Sequence, residues 1–222
     1  MVSGILLGAG ESKRMGKNKL ILPWGKNTVF EHCLQTLLRS ELGEVIVVLS
    51  ARSNELGKRI RSRSVCGKKK IAVVWNPAYM RGMSTSIRRG LQCLHPKSKG
   101  ILIALGDQPF LKSKTVNALI HAFTPGEGRM VVPFYEGRRG NPVLFDRSYL
   151  HDLMELKGDI GGRSVIDRHP DHMIRVQTRS EAVIRDIDTW KDYKRLGKKP
   201  NAQREKTIGN RLKEKERQFD EV

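Results

Sequence analysis

Apolar residues follow two different patterns along the chain. Continuous apolar runs, which are typical of strands covered on both faces, are Ile5–Leu7, Val45–Leu49, Ile71–Trp75, Ile101–Leu105 and Met130–Val132. Between these runs, apolar positions recur every three or four residues and predict amphipathic helices at Thr28–Ser40, Ser84–Leu94 and Ser113–Phe123. The first helix opens with a capping box, Thr28-Val-Phe-Glu31. The alternation predicts right-handed βαβ crossovers and an α/β fold, with a three-layer α/β/α arrangement around a mostly parallel sheet.

The regular alternation ends after Tyr135. Two Gly- and Arg-rich stretches, GRRGNPVLF and GDIGGRSVIDRHP, follow, and we expect them to form loops and an edge elaboration over the sheet. From residue 196 onward almost no apolar side chains remain to be buried, which is typical of a disordered tail. We therefore predict a single domain over residues 1–195 and a basic tail over residues 196–222.

The chain of 222 residues is strongly basic, with a formal net charge of +19. Such a surface attracts polyanions and anionic substrates, although a merely solvated, solubility-promoting surface explains the charge equally well. A nucleic-acid partner is not expected, because aromatic residues are not interleaved with the basic ones and the basic residues are spread along the chain.

Features of membrane and secreted proteins are missing from the sequence. No apolar run approaches the roughly 20 residues of a membrane span, and the N-terminus lacks the apolar core of a signal peptide. The cysteines Cys33, Cys66 and Cys93 are too scattered for a disulfide framework or a CxxC metal site. The pair His169-x-x-His172 has no further metal ligand beside it, so we interpret it as a surface loop. We expect a cytoplasmic protein without a membrane partner.

The segment GAGESKRMGKNKL, from Gly8 to Leu20, combines glycine with basic residues directly after the first apolar run. It matches neither of two familiar phosphate-binding motifs. A Walker P-loop is excluded because Glu11 stands at the first Gly position and Asn18 replaces the hydroxyl residue. A dinucleotide fingerprint is excluded because Lys13 replaces its third Gly.

The same segment nevertheless suits an anion held in another way. Gly8 and Gly10 lack a Cβ, so backbone N–H groups at these positions can approach a ligand closely. Arg14 and Lys19 supply positive charge for bonds to phosphate. Ligands of open α/β sheets bind beyond the carboxyl ends of the strands, which is where this loop is predicted to lie.

Two acidic motifs are candidates for metal binding. ILIALGDQP places Asp107 at the end of a buried strand, and Gln108-Pro109 predicts a rigid turn there. Facing the same sheet edge as the glycine-rich loop, Asp107 is a candidate Mg²⁺ ligand. In RDIDTWKDY, Asp186 and Asp188 occupy alternate positions of a predicted short strand and face one side; alternatively, Asp188 or Thr189 caps the following helix.

Several motifs occur together in the order in which one known family has them: LLGAGESKRMGKNKLILPWGKNTVFEH, NPAYMRGMSTSIRRGL, LGDQP, GRRGNPVLF, GDIGGR and DIDTWKDY. On these motifs the chain from Val2 to Tyr193 resembles the molybdenum cofactor cytidylyltransferases, within the wider molybdopterin-guanine-dinucleotide-like nucleotidyltransferases. The resemblance implies a nucleotide-diphospho-sugar-transferase-like fold with a Rossmann-type half. It also implies Mg²⁺-dependent transfer of CMP from CTP to the terminal phosphate of molybdopterin, with release of pyrophosphate. Such a phosphate nucleophile is already anionic and needs no general base.

The resemblance further implies roles for individual residues. Arg14, Lys19 and Asp107 would be catalytic, and Asp107 and Asp188 would hold Mg²⁺. The nucleotide-binding residues would be Gly8, Ala9, Gly10, Arg14, Lys19, Asn76, Ser84, Thr85 and Ser86. The residues on the pterin side would be Gly140, Asn141, Gly161 and Arg163.

Two positions depart from the pattern of the resembled family. Its first loop usually reads L-A-A-G, whereas this chain has Leu7-Gly8-Ala9-Gly10. Guanylyl relatives read L-A-G-G, so Ala9 favours cytidine over guanosine. Met83 stands where Gln is expected.

Other functions remain open at this point. One is guanylyl transfer to the same cofactor. Another is a non-catalytic chaperone that hands the cofactor to an apo-hydroxylase, although Lys19 and Asp107 favour a retained activity. Cytidylyl transfer to an isoprenoid precursor is disfavoured, because the Pro before the loop Lys and the acidic-Ala-Ala-Arg stretch of those enzymes are missing.

Overall fold

The computed structural model of the chain describes residues 1–10, 15–16, 18–50, 53–64 and 70–197. The strands in this part are β1 (Val2–Gly8), β2 (Pro23–Trp24), β3 (Asn27–Thr28), β4 (Glu44–Ser50), β5 (Lys70–Asn76), β6 (Gly100–Leu105), β7 (Met130–Tyr135), β8 (Arg138–Arg139), β9 (Val143–Asp146) and β10 (Met173–Gln177). The main sheet has the order β10-β7-β9-β6-β1-β4-β5, with β8 added beside β7, and β2 and β3 form a separate pair. Parallel pairing of β1 with β4 and β6, and of β4 with β5, confirms the predicted sheet.

Helices cover both faces of this sheet. They are α1 (Val29–Leu38), α2 (Asn54–Ser64), α3 (Met83–Leu91), α4 (Ser113–His121), α5 (Leu150–Met154), α6 (Arg163–Arg168) and α7 (Trp190–Gly197). Short 3-10 turns lie at Lys19–Ile21, Tyr79–Arg81, Arg147–Tyr149, Pro170–His172 and Glu181–Val183. One apolar core joins α1, α2 and α4 to the sheet, with Phe30 and Val116 among its buried residues. A second core joins α3, α5 and α6 to the opposite face, with Ile87 and Ile166 among its buried residues, and this confirms the three layers.

The start of α1 follows the sequence prediction closely. Thr28 Oγ1 accepts a hydrogen bond from the Glu31 N–H at 3.2 Å, and Glu31 Oε2 accepts one from the Thr28 N–H at 2.8 Å. This reciprocal pair is the predicted capping box. Glu31 is buried and also pairs with Arg59 of α2 at 3.0 Å, so the cap joins two helices.

Two expectations from the sequence are wrong, and one helix was not predicted. The second half of the chain is not confined to an edge elaboration, because β9 lies between β6 and β7 and pairs antiparallel with both. Residues 185–188 form no strand, because the Ile187 N–H donates to the Asp107 carbonyl at 3.0 Å and not to a neighbouring strand. Helix α2 was not predicted, because few apolar residues interrupt its basic sequence; among them, Leu56 and Ile60 are buried.

The topology brings distant segments to one edge of the sheet. The parallel strands β1, β4, β5 and β6 all end there, at Gly8, Ser50, Asn76 and Leu105. Helix α7 packs near the same loops, since the Trp190 Nε1–H donates to the Met15 carbonyl at 3.0 Å. In the part of the chain that the structure describes, no helix is both long and apolar enough to cross a membrane.

Candidate active site

The turn after β6 holds Asp107 by its backbone at the sheet edge. The Gly106 N–H donates to the Leu7 carbonyl at 2.9 Å, which ties this turn to the end of β1. The Cys33 thiol of α1 donates to the Gly106 carbonyl at 3.4 Å. Burial and the nearby Asp107 carboxylate raise the pKa of that thiol, so it stays protonated as a donor. Together with the bond from the Ile187 N–H to the Asp107 carbonyl, these contacts confirm the predicted turn and hold its backbone in place.

Lys19 joins two carboxylates that come from distant parts of the sequence. Its Nζ lies 2.7 Å from Asp107 Oδ2 and 2.8 Å from Asp188 Oδ1. The lysine sits on a short turn that Asn18 caps, with Asn18 Oδ1 accepting from the Leu20 N–H at 3.1 Å. Burial alone would lower the pKa of Lys19, but the two carboxylates outweigh burial and raise that pKa. The ammonium group therefore remains charged at neutral pH.

Asp186 belongs to the same charged cluster. Burial, with the negative charges of Asp188 and Asp107, raises the pKa of Asp186, while Lys19 acts in the opposite direction. Thr189 and not Asp188 caps the following helix, because the Asp192 N–H donates to Thr189 Oγ1 at 3.2 Å and the Thr189 N–H donates to Asp192 Oδ2 at 3.0 Å. Asp188 is therefore available to the site.

The donor set of the cluster fits a divalent cation. Asp107 Oδ1 is buried and has no hydrogen-bond partner among the described residues, and the Asp107 residue lines a cavity. Asp188 is 37% exposed and lies on the other side of Lys19. One or two carboxylates, completed by substrate phosphates, are what Mg²⁺ usually takes in proteins. The described residues contain no group of three or more His, Cys, Asp or Glu side chains arranged for a metal ion.

A cavity of about 490 Å³ opens beside this cluster. Five of the predicted nucleotide-binding or catalytic residues line it: Ala9, Gly10, Lys19, Ser86 and Asp107. The sequence prediction missed other lining residues, among them Tyr79, Met80, Arg81 and Asp159. The motifs NPAYMRGM and GDIGGR contained these residues, but nothing in their local pattern distinguished them from surface positions. We call this the nucleotide cavity, after the role that the resemblance implies for five of its lining residues.

A second cavity of about 230 Å³ adjoins the first, and Met83 and Leu105 line both. All the residues predicted for the pterin side line this second cavity, namely Gly140, Asn141, Gly161 and Arg163. Arg139 also lines it and forms an ion pair with Asp167, and this arginine was missed as well. We call this the acceptor cavity, after the pterin-side role that the resemblance implies for four of its lining residues.

The remaining predicted residues that the structure describes line neither cavity. Asn76 is buried and its Nδ2 donates to Thr85 Oγ1 and Ser86 Oγ, both at 2.9 Å, so its side chain joins β5 to α3. Ser84 is fully buried at the start of α3, and Gly8 is buried at the end of β1. Arg14 lies outside the described residues, as do residues 198–222 of the predicted tail.

Comparison with protein families gives a match over residues 4–173 to the MobA-like NTP transferase domain. Among curated relatives, nicotine blue oxidoreductase of Paenarthrobacter nicotinovorans is 30% identical, over 88% of this chain and 96% of that protein. Molybdenum cofactor cytidylyltransferase of Escherichia coli is 24% identical, over 85% of this chain and 92% of that protein. A probable molybdenum cofactor guanylyltransferase of Mycobacterium avium is 27% identical, over 74% and 78% of the two chains.

Solved structures of related proteins have the same fold as this chain. An Rv0371c homologue from Mycobacterium sp. strain JC1 is 30% identical with a TM-score of 0.74, and the match covers 88% of this chain and 94% of that one. Rv0371c of Mycobacterium tuberculosis, in complex with manganese, is 26% identical with a TM-score of 0.66, and the match covers 89% of this chain and 98% of that one.

Proposed function

Since the chain belongs to the family of MobA-like NTP transferase domains, we propose that it transfers CMP from CTP to the terminal phosphate of molybdopterin or its molybdenum-containing form. Pyrophosphate is the second product. Two curated relatives are named for nucleotidyl transfer to molybdenum cofactor, one with cytidine and one with guanosine. The acceptor is therefore better supported than the base.

The main support for the proposal is that two cavities adjoin each other and that the charged cluster around Lys19 lies beside the first of them. Lys19 and Asp107 line the nucleotide cavity, and the acceptor cavity begins on the other side of Met83 and Leu105. Two substrates placed in these cavities meet where the cavities join. Holding two reactants together in this way supplies much of the catalysis that a phosphoryl transfer needs.

The reaction balances without a general base. An anionic oxygen of the acceptor phosphate forms a bond to the α-phosphorus of CTP. The bond from that phosphorus to the oxygen bridging the β-phosphorus breaks, and pyrophosphate leaves with the electron pair. Lys19, whose raised pKa keeps it protonated, binds the phosphate oxygens of CTP and offsets the charge that develops on the leaving group. In the proposal, Arg14 contributes a second positive charge.

Asp107 and Asp188 would hold a magnesium ion, which when bound offsets negative charge on the phosphates. The buried, unpartnered Asp107 Oδ1 supports this assignment, as does the manganese present in a related structure. Lys19 lies between these carboxylates and orients both of them.

Cytidine is proposed as the base because of Ala9. The residue lines the nucleotide cavity, and in the proposal its methyl group limits the space left for the base. A smaller residue at this position would leave more room for a purine. Gly10 is the next residue of this wall, and Asn76 supports the wall indirectly through Ser86.

The test is a direct assay of the purified full chain. Each of the four nucleoside triphosphates is incubated with Mg²⁺, with and without molybdopterin, and pyrophosphate is measured. We expect molybdopterin-dependent release with CTP above the other three. Preference for GTP would overturn the cytidine assignment, and molybdopterin binding without any pyrophosphate would identify a carrier. One relative is named as an oxidoreductase, so a further possible outcome of the assay is that none of the four triphosphates is used. That outcome would overturn the proposed nucleotidyl transfer.

A further inference from the structure

The segment of residues 158–163 follows α5 and contributes to the walls of both cavities. Asp159 lines the nucleotide cavity, whereas Gly161, Gly162 and Arg163, only a few residues further along, line the acceptor cavity. The segment is therefore in a position to respond to a ligand in one cavity and to alter the other. The sequence analysis predicted no role for Asp159.

The same segment caps the first turn of α3. The Met83 N–H donates to Asp159 Oδ1 at 3.1 Å, and the Ser84 N–H donates to the Gly158 carbonyl at 3.2 Å. The first N–H groups of any helix lack partners within the helix. Here the N-cap residue is Gly82, which has no side chain to bind them. Helix α3 thus depends on a cap from a residue 76 positions away in the sequence.

Close packing of the two backbones makes this contact specific. Gly82 has a φ of +103°, and a Cβ on it would lie within 3.0 Å of the Gly158 carbonyl group and the Asp159 nitrogen. Only glycine permits this approach. The position of the segment therefore fixes the position of the helix start.

The capped turn is itself part of both cavity walls. Met83 lines both cavities, and Ser86 lines the nucleotide cavity. Ser86 Oγ also accepts from Asn76 Nδ2 at 2.9 Å, which joins the turn to the end of β5. A shift of the turn would change the shape of the nucleotide cavity.

We propose that Asp159 is a positioning residue that couples the two substrate sites. An acceptor bound between residues 161–163 and the opposite wall fixes the segment, and Asp159 then holds the first turn of α3 in the geometry that receives the nucleotide. Because coupling between two sites is reciprocal, the nucleotide strengthens acceptor binding by the same factor. The inference rests on the proposed two-substrate transfer.

The kinetic test compares Asp159→Ala with Asp159→Asn, which keeps a side-chain oxygen to accept from the Met83 N–H. Asp171→Ala is the matched control, because Asp171 is exposed and lines neither cavity. The KM for CTP is measured at low and at saturating molybdopterin. In the wild type and the control we expect saturating molybdopterin to lower this KM by about fivefold or more. Asp159→Asn should keep most of the effect, and in Asp159→Ala the ratio should fall to about one.

Two results would overturn the coupling. One is a wild-type KM for CTP that does not depend on molybdopterin. The other is an Asp159→Ala variant with a lower thermal midpoint but an unchanged KM ratio, since that variant would have lost a helix cap and nothing more.

Amide hydrogen exchange separates this inference from the proposed function. Molybdopterin alone is added to each full-length protein, and exchange is followed at residues 82–86. Slower exchange in the wild type and in Asp159→Asn, with no change in Asp159→Ala, would support the coupling even if no triphosphate released pyrophosphate. Unchanged exchange in the wild type would overturn the inference.

Discussion

Phe30 occupies the space that a side chain on Gly8 would need. A Cβ at position 8 would lie within 3.0 Å of Phe30 Cε2 and Cζ, and a Cβ on Gly106 would meet the same buried ring. One aromatic side chain of α1 thus lies beneath both the glycine-rich loop and the turn that carries Asp107. This packing gives a steric reason for glycine at position 8, where the resembled family has alanine.

The first prediction tests this packing with paired variants. Gly8→Ala should destabilise the protein by about 1–3 kcal/mol, because the new methyl group has no room beside Phe30. In a Phe30→Leu background, the additional cost of Gly8→Ala should be smaller by about 1 kcal/mol or more. Urea unfolding of the four proteins measures both quantities. Gly10→Ala is the control, since nothing lies within 4 Å of a Cβ built there. Equal costs of Gly8→Ala in the two backgrounds would contradict the steric explanation.

The second prediction concerns the carboxylate of the charged cluster. Asp107→Asn keeps the shape of the side chain but removes its charge, and should lower kcat by about 10²–10³ or more, because electrostatic stabilisation of the leaving pyrophosphate is lost. Manganese binding, measured by calorimetry, should weaken in the same variant. Asp171→Asn is the matched control and should behave like the wild type in both measurements. Near-wild-type turnover in Asp107→Asn would refute the proposed metal site.

The third prediction concerns the choice of base. Ala9→Gly should reduce the preference for CTP over GTP by admitting the larger base. A methyl-sized difference in a pocket is typically worth about 1–3 kcal/mol, or roughly 10- to 200-fold in discrimination. The measurement is the ratio of kcat/KM for CTP and GTP in both proteins. An unchanged ratio would place base selection elsewhere in the wall, around Tyr79 and Ser86.

The fourth prediction concerns pH and the cap of α1. Burial alone would raise the pKa of Glu31, but the hydrogen bonds from Thr28 and the Arg59 charge outweigh it and lower the pKa. A lowered pKa means that the folded state favours the charged carboxylate of Glu31. Its ionisation therefore stabilises the folded protein fully above the unfolded pKa of about 4.3. This stabilisation is lost as the pH falls through the pKa of the folded state. Wild type should therefore exceed Glu31→Gln in stability at pH 7, with the difference shrinking below about pH 4.

Urea unfolding of both proteins at several pH values between 3 and 7 checks the Glu31 prediction, with the range set around the reference pKa of about 4.3. Glu55→Gln is the control, because Glu55 is exposed in the first turn of α2 and its replacement removes the same charge. A stability difference for Glu31→Gln that stays constant over the whole range would show that the ionisation of Glu31 does not contribute.

The fifth prediction separates the tail from the last helix. Truncation after Gly197 should leave the thermal midpoint nearly unchanged, because the sequence beyond it has almost no apolar side chains to bury. Truncation after Thr189 also removes Trp190 and Tyr193, whose hydrogen bonds reach Met15 and Pro23. The thermal midpoint of this shorter protein should fall by about 4 °C or more, since a loss of one kcal/mol in unfolding free energy lowers the midpoint by about 2–4 °C in a domain of this size. If the thermal midpoint fell equally in both truncated proteins, the stabilising contacts would belong to the tail and not to α7.

The local pattern of the sequence determined the framework of the fold. The strand runs around Ile5, Val47 and Ile103 were predicted because each strand is covered on both faces and so must be apolar at every position. The start of α1 was predicted because its capping box lies within Thr28–Glu31. The turn at Asp107 was predicted because Gln108-Pro109 follows the strand directly. All these signals act between near neighbours in the chain, where sequence and geometry are directly linked.

Only the tertiary structure decided which side chains meet. Lys19 and Asp188 are 169 positions apart, and Met83 and Asp159 are 76 apart, so no periodicity relates them. The insertion of β9 between β6 and β7, and the backbone bond that holds residues 185–188 against Asp107 instead of in a strand, likewise depend on long-range pairing. Such contacts depend on how separately formed elements pack in the whole fold. The sequence by itself determined the central apolar strands and the helices α1, α3 and α4, because their signals are local. The packing of these elements decided the charged cluster and the wall between the two cavities.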